Sequence, residues 1–191
     1  MDFHELVQTA RSCRRFEDKP LNMADLEWLA DCARLTPSGM NAQVVRYTLV
    51  TKGDLLAKLF ALTRWGGALK DWGGPHPGER PTVFIALLMP KKTTELMHFD
   101  IGIAAQTIQL AATSRGWGCC IIKSFDQAAS AELLKIPTEM QIALLLGLGV
   151  AKEKRVIAPM PADGSFKYWR DANGVHYVPK RSLEELIVAR Y

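Results

Sequence analysis

Apolar residues recur at helical spacing from the start of the chain, where Phe3, Leu6, Val7 and Ala10 predict an amphipathic helix ending near Ser12. Asn22, with Asp25 three residues on, predicts a capped second helix that buries Leu26, Leu29, Ala30 and Ala33. Pro37 disfavours helix at Thr36 and stops it there. Val44–Thr51, Thr82–Met89, Cys119–Ile122 and Ile142–Val150 read as strands, and Asp54–Leu62 and Gln127–Leu134 as short helices. Asp100–Ser114 is a helix with apolar residues on nearly every face, which predicts burial either centrally or in a subunit interface. Between the elements, Thr63–Pro81 holds five glycines and three prolines around Trp65 and Trp72 and excludes regular structure. A loop of that length is a lid or binding loop, or a surface excursion pinned by its tryptophans. Asn173-Gly174 turns the chain before His176-Tyr177-Val178, and Ser182 with Glu185 forms a capping box for a last helix. Strands and helices alternate irregularly and without internal repeat. That is the α+β class, a single sheet with helices on both sides.

Composition narrows the functional classes. An apolar fraction of 48% and a charged fraction of 23% describe a globular protein, and 191 residues suit one domain with its own core. The net charge of +4 is scattered, which does not predict a nucleic-acid partner. No apolar run reaches the ~20 residues of a membrane span, and Met1–Glu5 does not begin a signal peptide. Cys13, Cys32, Cys119 and Cys120 lack metal-ligand spacing, and two reduced thiols on a buried strand are expected at Cys119-Cys120, in a reducing cytoplasm.

Several motifs are missing. Gly147-Leu148-Gly149 follows a strand but lacks the third glycine and the following helix of a dinucleotide fingerprint. There is no phosphate loop, no G-x-S-x-G and no H-E-x-x-H. His4, His76, His98 and His176 lie far apart and read as surface or structural residues. Three segments remain. Arg11-Ser12-Cys13-Arg14-Arg15-Phe16 offers guanidinium and hydroxyl donors suited to phosphate, although such a run is also an ordinary solvated face. Pro37-Ser38-Gly39-Met40-Asn41-Ala42-Gln43 offers uncharged amide and hydroxyl groups, or is a plain helix-to-strand turn. Lys180-Arg181-Ser182 puts two cations at the positive end of a helix, where either a bound anion or solvent exposure would relieve the conflict.

In this order the segments resemble the nitroreductase family, with its R-S-x-R-like stretch near the amino terminus and P-S-x-x-N-x-Q soon after. The resemblance continues through Asp100–Gln106, Gly116–Ile122, Leu145–Lys152 and Val178–Glu185, nearly the whole chain. It implies one FMN-binding domain over residues 1–191, with a central, mostly antiparallel sheet, forming a homodimer whose two FMN sites lie at the subunit interface. By position, Arg11, Ser12, Cys13 and Arg14 hold the phosphate with help from Lys180 or Arg181. Pro37, Ser38, Gly39 and Asn41 contact the flavin ring, and the backbone of Ile122, Lys123 and Ser124 approaches its N5. NADH or NADPH is the implied donor, and nitro compounds, quinones or related small electrophiles the acceptors, in a ping-pong reaction. Because the flavin carries the chemistry, no catalytic side chain is expected. The chain departs from the family at Ala10, where many members have arginine, and at Val44-Val45, where many have Pro-Trp. Other flavin reactions of the same fold, such as reductive dehalogenation or flavin cleavage, stay open, as does an FMN-binding sensor or carrier.

Overall fold

Strand β2 (Val83–Pro90) is buried at every position but its last because both its faces are covered. The computed structural model describes residues 1–69 and 71–191. In it, β2 lies between β1 (Arg46–Val50) and β4 (Met140–Val150), and β4 pairs on its other side with β3 (Trp117–Ile122). All three pairings are antiparallel. Along β2 the side chains alternate: Val83, Ile85, Leu87 and Met89 enter one core layer, Phe84, Ala86 and Leu88 the other. The first layer is closed by α2 (Met23–Arg34) and α4 (Glu95–Ser114), the second by α3 (Gly53–Ala61) and α5 (Gln127–Leu133).

Two glycines of β4 have a packing role. A Cβ on Gly147 would lie 3.1 Å from the ring of Trp65, and one on Gly149 would lie 3.1 Å from the ring of Phe16. The Gly-Leu-Gly run therefore seats two aromatic rings on the sheet. Register shifts by one residue between Leu87 and Leu88, which leaves Ala143 as a bulge whose carbonyl accepts a hydrogen bond from Lys123 Nζ at 3.1 Å.

A second sheet departs from the single-sheet reading. It orders β5 (Arg155–Pro159), β7 (His176–Lys180) and β6 (Trp169–Arg170), with β5 and β7 parallel. Its strands are short and partly polar, so alternation there was too weak to read. Boundaries also moved. Helix α1 (Phe3–Thr9) stops before Ala10, so Arg11 and Ser12 are free to run beside β3. Helix α4 begins at Glu95, five residues earlier than its apolar run suggested. It buries Ile101, Ala104, Ala105, Ile108 and Ala112 but exposes Phe99 and Ile103, so its apolar surface is only partly covered within one chain. The capping boxes at Asn22/Asp25 and Ser182/Glu185 both form, the latter at α6 (Leu183–Leu186).

Candidate active site

Past α1 the chain clasps the edge of the main sheet. Ser12 bridges Cys119 in parallel, Cys13 N–H donates to the Cys119 carbonyl at 2.9 Å, and Phe16 bridges Ala151. This fixes where each side chain of the Arg11–Phe16 run can point. The Cys13 thiol turns into the core, fully buried above Gly118, where an added Cβ would meet its sulfur at 2.5 Å. Cys13 therefore contributes no side chain to a ligand site, contrary to its place in the expected phosphate set. Arg11, Ser12 and Arg14 point the other way and line a cavity of about 320 Å³ with Lys180, Gln106, Gln109, Tyr168 and His176.

The cavity is cationic, and among the described residues no carboxylate lines its wall. Arg14 stacks its guanidinium 4.4 Å from the centre of the Tyr168 ring and reaches Nε2 of His176 at 3.1 Å. His176 occupies the middle strand of the second sheet, in register with Arg155 on one side and Arg170 on the other. One buried acid faces this cluster. The carboxylate of Glu153 is wholly inaccessible, pairs with Arg170 at 2.9 Å and accepts the backbone N–H of Arg14. One carboxylate does not satisfy these donors: Arg11 Nε, Arg155 Nε and Nη1, Arg170 Nε and His176 Nδ1 are buried without a partner among the described residues. Burial lowers the Arg11 pKa, as expected for a cation with no acid beside it. This arrangement favours an anion in the cavity.

A second cavity of about 160 Å³ adjoins the first through Arg14. Its wall is Cys120 to Ser124 at the end of β3, faced by Arg64, Trp65, Gly66 and Gly67 from the long loop. Ile122, Lys123 and Ser124 thus share a cavity wall with Arg14. The loop is held at several points. Trp65 is buried, with its Nε1 donating to Thr63 Oγ1 at 2.7 Å, and Trp72 stacks under Arg170 at 4.2 Å. At its far end Arg15 makes two 2.7 Å bonds to Glu79, whose carboxyl is held down at about 2 chiefly by that contact. Lys70, within the loop, lies outside the described residues.

Pro37 and Ser38 are not brought to this groove within one chain. They line a separate cavity of about 150 Å³ beside Arg34, Tyr47 and buried Asp100, which accepts the Gly39 N–H at 2.9 Å. Met40, Asn41 and Gln43, all exposed, hold left-handed backbone at φ 53°, 53° and 49°. Such a run is costly for non-glycine residues and persists only where its surroundings hold it. Arg181 also stays outside the groove, 3.5 Å from Glu185. Glu184 and Glu185 in the first turn of α6 offset the two cations there, so that helix start alone did not call for an anion.

The Nitroreductase family model matches residues 7–150, about three quarters of the chain. The chain belongs to the nitroreductase family. Among the relatives of this nitroreductase-family chain is an Archaeoglobus fulgidus protein provisionally named NADH dehydrogenase/NAD(P)H nitroreductase, 24% identical across 79% of this chain and 86% of its own. A Thermotoga neapolitana iodotyrosine deiodinase is 23% identical, covering 76% of this chain and 87% of its own. A provisionally named nitroreductase of Desulfovibrio desulfuricans, solved in complex with FMN, superposes with a TM-score of 0.68 over 98% of this chain and 96% of its own, at 20% identity. Among the described residues no group of histidine, cysteine and acidic side chains could hold a metal ion. No described helix is long and apolar enough to cross a membrane.

Sequence reasoning missed the wall residues Tyr168 and His176, the buried Glu153 and the half-buried Arg155 and Arg170. They converge from three strands of the second sheet and the turn before it, and no local spacing links them.

Proposed function

We propose that this chain, as one FMN-binding domain over residues 1–191, is an oxidoreductase that uses NADH or NADPH to reduce a small electrophile. The observation that carries the reading is the carboxylate-free cavity where Arg11, Ser12, Arg14 and Lys180 converge beside buried, unpaired donors. A phosphate monoester fits it, with Arg14 and Arg11 as forked donors, Ser12 as a hydroxyl donor and Lys180 as a point charge. From there the groove leads past Arg14 to the Cys120–Ser124 wall, where a planar ring would lie against Ile122, Lys123 and Ser124. When bound, the flavin supplies two-electron transfer between nicotinamide and acceptor. The chain positions both ends of the cofactor and keeps carboxylates away from them. The complex of the Desulfovibrio relative with FMN and the naming of the Archaeoglobus relative for NAD(P)H support the same reading.

The working unit is a homodimer, in which a second copy brings its Pro37, Ser38, Gly39 and Asn41 over the ring. The exposed left-handed segment and the uncovered Phe99 and Ile103 support that arrangement. Four free cysteines suit a reducing cytoplasm. Reductive dehalogenation is the second reading, favoured by the deiodinase relative.

Binding of FMN and of riboflavin to the purified protein tests the proposal, because the two ligands differ only in the phosphate. FMN should bind, and Arg14→Ala should weaken it by ~1.5–3 kcal/mol while weakening riboflavin far less. A protein that binds no FMN, or equal losses for both ligands, would sink this assignment. Halophenols against nitroarenes as acceptors then separate the two readings.

A further inference from the structure

Arg64 lies where two cavities meet. It lines the ring cavity beside Trp65 and also an outer cavity of about 380 Å³ shared with Thr63, Ser124, Phe125 and Asp126. Its backbone is fixed. Arg64 N–H donates to the Ser124 carbonyl at 2.9 Å, Thr63 bridges Phe125, and Asp126 N–H donates to Leu62. Two short segments therefore form a rigid platform under this side chain.

Its guanidinium makes no hydrogen bond or ion pair with a described residue, although other cations nearby are engaged. Lys123 Nζ donates to the bulged Ala143 carbonyl, and Arg14 is held by His176 and Tyr168. Among the described residues Asp126 is the lone acid of the outer cavity, and its Oδ1 already caps α5 by accepting from Ala129 N–H at 3.0 Å. A planar, permanently charged fork thus stands unpaired at the mouth of the ring cavity. Such a group selects carboxylates and phosphates, which match its paired donors.

We propose that Arg64 determines specificity at this site by taking an anionic group, carboxylate or phosphate, on the redox substrate. The proposal rests on the ring lying in the inner cavity, as argued above. The anion has two chemical sources: a carboxylate on the acceptor, or the phosphates of the nicotinamide donor.

The test compares 4-nitrobenzoate with nitrobenzene as acceptors, and titrates NADH and NADPH, for the parent protein, Arg64→Gln and Arg64→Lys. If the acceptor carries the anion, Arg64→Gln should lower the ratio of kcat/KM for nitrobenzoate over nitrobenzene on the order of 10- to 100-fold, through KM. Arg64→Lys should restore part of it. If the donor carries the anion, the acceptor ratio holds and the KM for NADH or NADPH rises instead. A ratio and donor KM values that all stay constant, or a uniform loss on every substrate, overturn the proposal. Quenching of tryptophan fluorescence by 4-nitrobenzoate reads the same site without turnover, because Trp65 lines the cavity. Loss of quenching selectivity in Arg64→Gln supports the role of Arg64 even if FMN fails to bind. Equal quenching by both nitroarenes, in parent and variant alike, overturns an acceptor carboxylate and leaves the donor titration to decide the phosphate.

Discussion

The guanidinium of Arg14 approaches Nε2 of His176 at 3.1 Å, and because arginine can only donate, the imidazole accepts there and carries its proton on Nδ1. Burial pushes the His176 pKa down to about 4, with Arg14, Arg170 and Arg155 adding to the effect. The ring is therefore a neutral acceptor set among cations. Protonating it would remove the acceptor and add another positive charge to a cluster with one buried acid.

That fixes a pH dependence. In the unfolded chain the imidazole titrates near its ordinary 6.5, in the folded protein near 4, so between those values only the unfolded state takes up the proton. Stability from the neutral ring is complete above about 6.5, falls as pH drops through the window, and changes no further below about 4. At ~1.4 kcal/mol per pKa unit the loss is on the order of 3 kcal/mol. Urea midpoints from pH 7 to 4 should therefore fall more steeply for the parent than for His176→Gln, which keeps an acceptor but does not titrate. Parallel slopes would mean the ring titrates as it does in water.

Glu153 should matter more to folding than its single charge suggests. It receives the Arg14 backbone and Arg170 while fully inaccessible. Glu153→Ala leaves Arg170, whose side chain is 14% exposed, facing Arg155 and Arg14 with no counter-charge. Breaking a buried pair on one side costs roughly 3–5 kcal/mol. Chemical denaturation of the variant should show that loss, reduced by added phosphate if an anion shares the cluster. A loss below ~1 kcal/mol, the range of exposed pairs, would show that water reaches the pair.

Much of the main sheet was legible because its period is strong. The β2 run, the helix caps at Asn22 and Ser182 and the Asn173-Gly174 turn need only neighbouring residues to be read, and each formed as expected. The part of the candidate cavity lined by Arg11, Ser12 and Arg14 was legible for the same reason, since the three come from one short segment. Cys13 was misplaced because the bridge between Ser12 and Cys119 sets which side chains face the core, and that pairing is long-range. The second sheet was missed because β6 holds two residues and β5 mixes arginine with apolar positions. His176, Arg155 and Arg170 become neighbours only through that sheet, so their chemistry stays invisible until the strands pair.

The two tryptophans of the long loop should separate cleanly. Trp65 is 9% exposed and belongs to the second core layer, where its ring rests on Gly147. It reads as the structural anchor rather than as a selector of acceptors. Trp65→Ala should cost ~3–5 kcal/mol, the range for deleting a large buried aromatic. Trp72 is half-buried and packs on Arg170, so Trp72→Ala should cost about 1–2 kcal/mol, a cation–π contact plus partial burial. Thermal or urea unfolding decides it. A larger loss at Trp72 would make Arg170 the main tether of the loop.

The cysteines should be chemically quiet except for one. Attack on an alkylating agent requires thiolate, and burial opposes the charged form at all three thiols near the sheet edge. The Cys120 thiol is pushed up to about 12, Cys119 well above its ordinary value, and Cys13 is raised as well, each chiefly by desolvation. At pH 8 a pKa near 12 leaves a thiolate fraction of ~10⁻⁴, against ~10⁻¹ for a pKa near 9. Nearby arginines lower these values without overcoming burial, so cations alone do not make Cys120 a nucleophile. Cys32 on α2 is raised too, but it is only half-buried and reachable. Iodoacetamide at pH 8 should therefore modify the native protein once, at Cys32, and all four positions once it is unfolded in urea. Peptide mapping reads the outcome directly. Labelling of Cys120 in the native protein at a rate near that of Cys32 would show a thiolate at the wall of the ring cavity, and with it a reactive group that the neutral-thiol argument excludes.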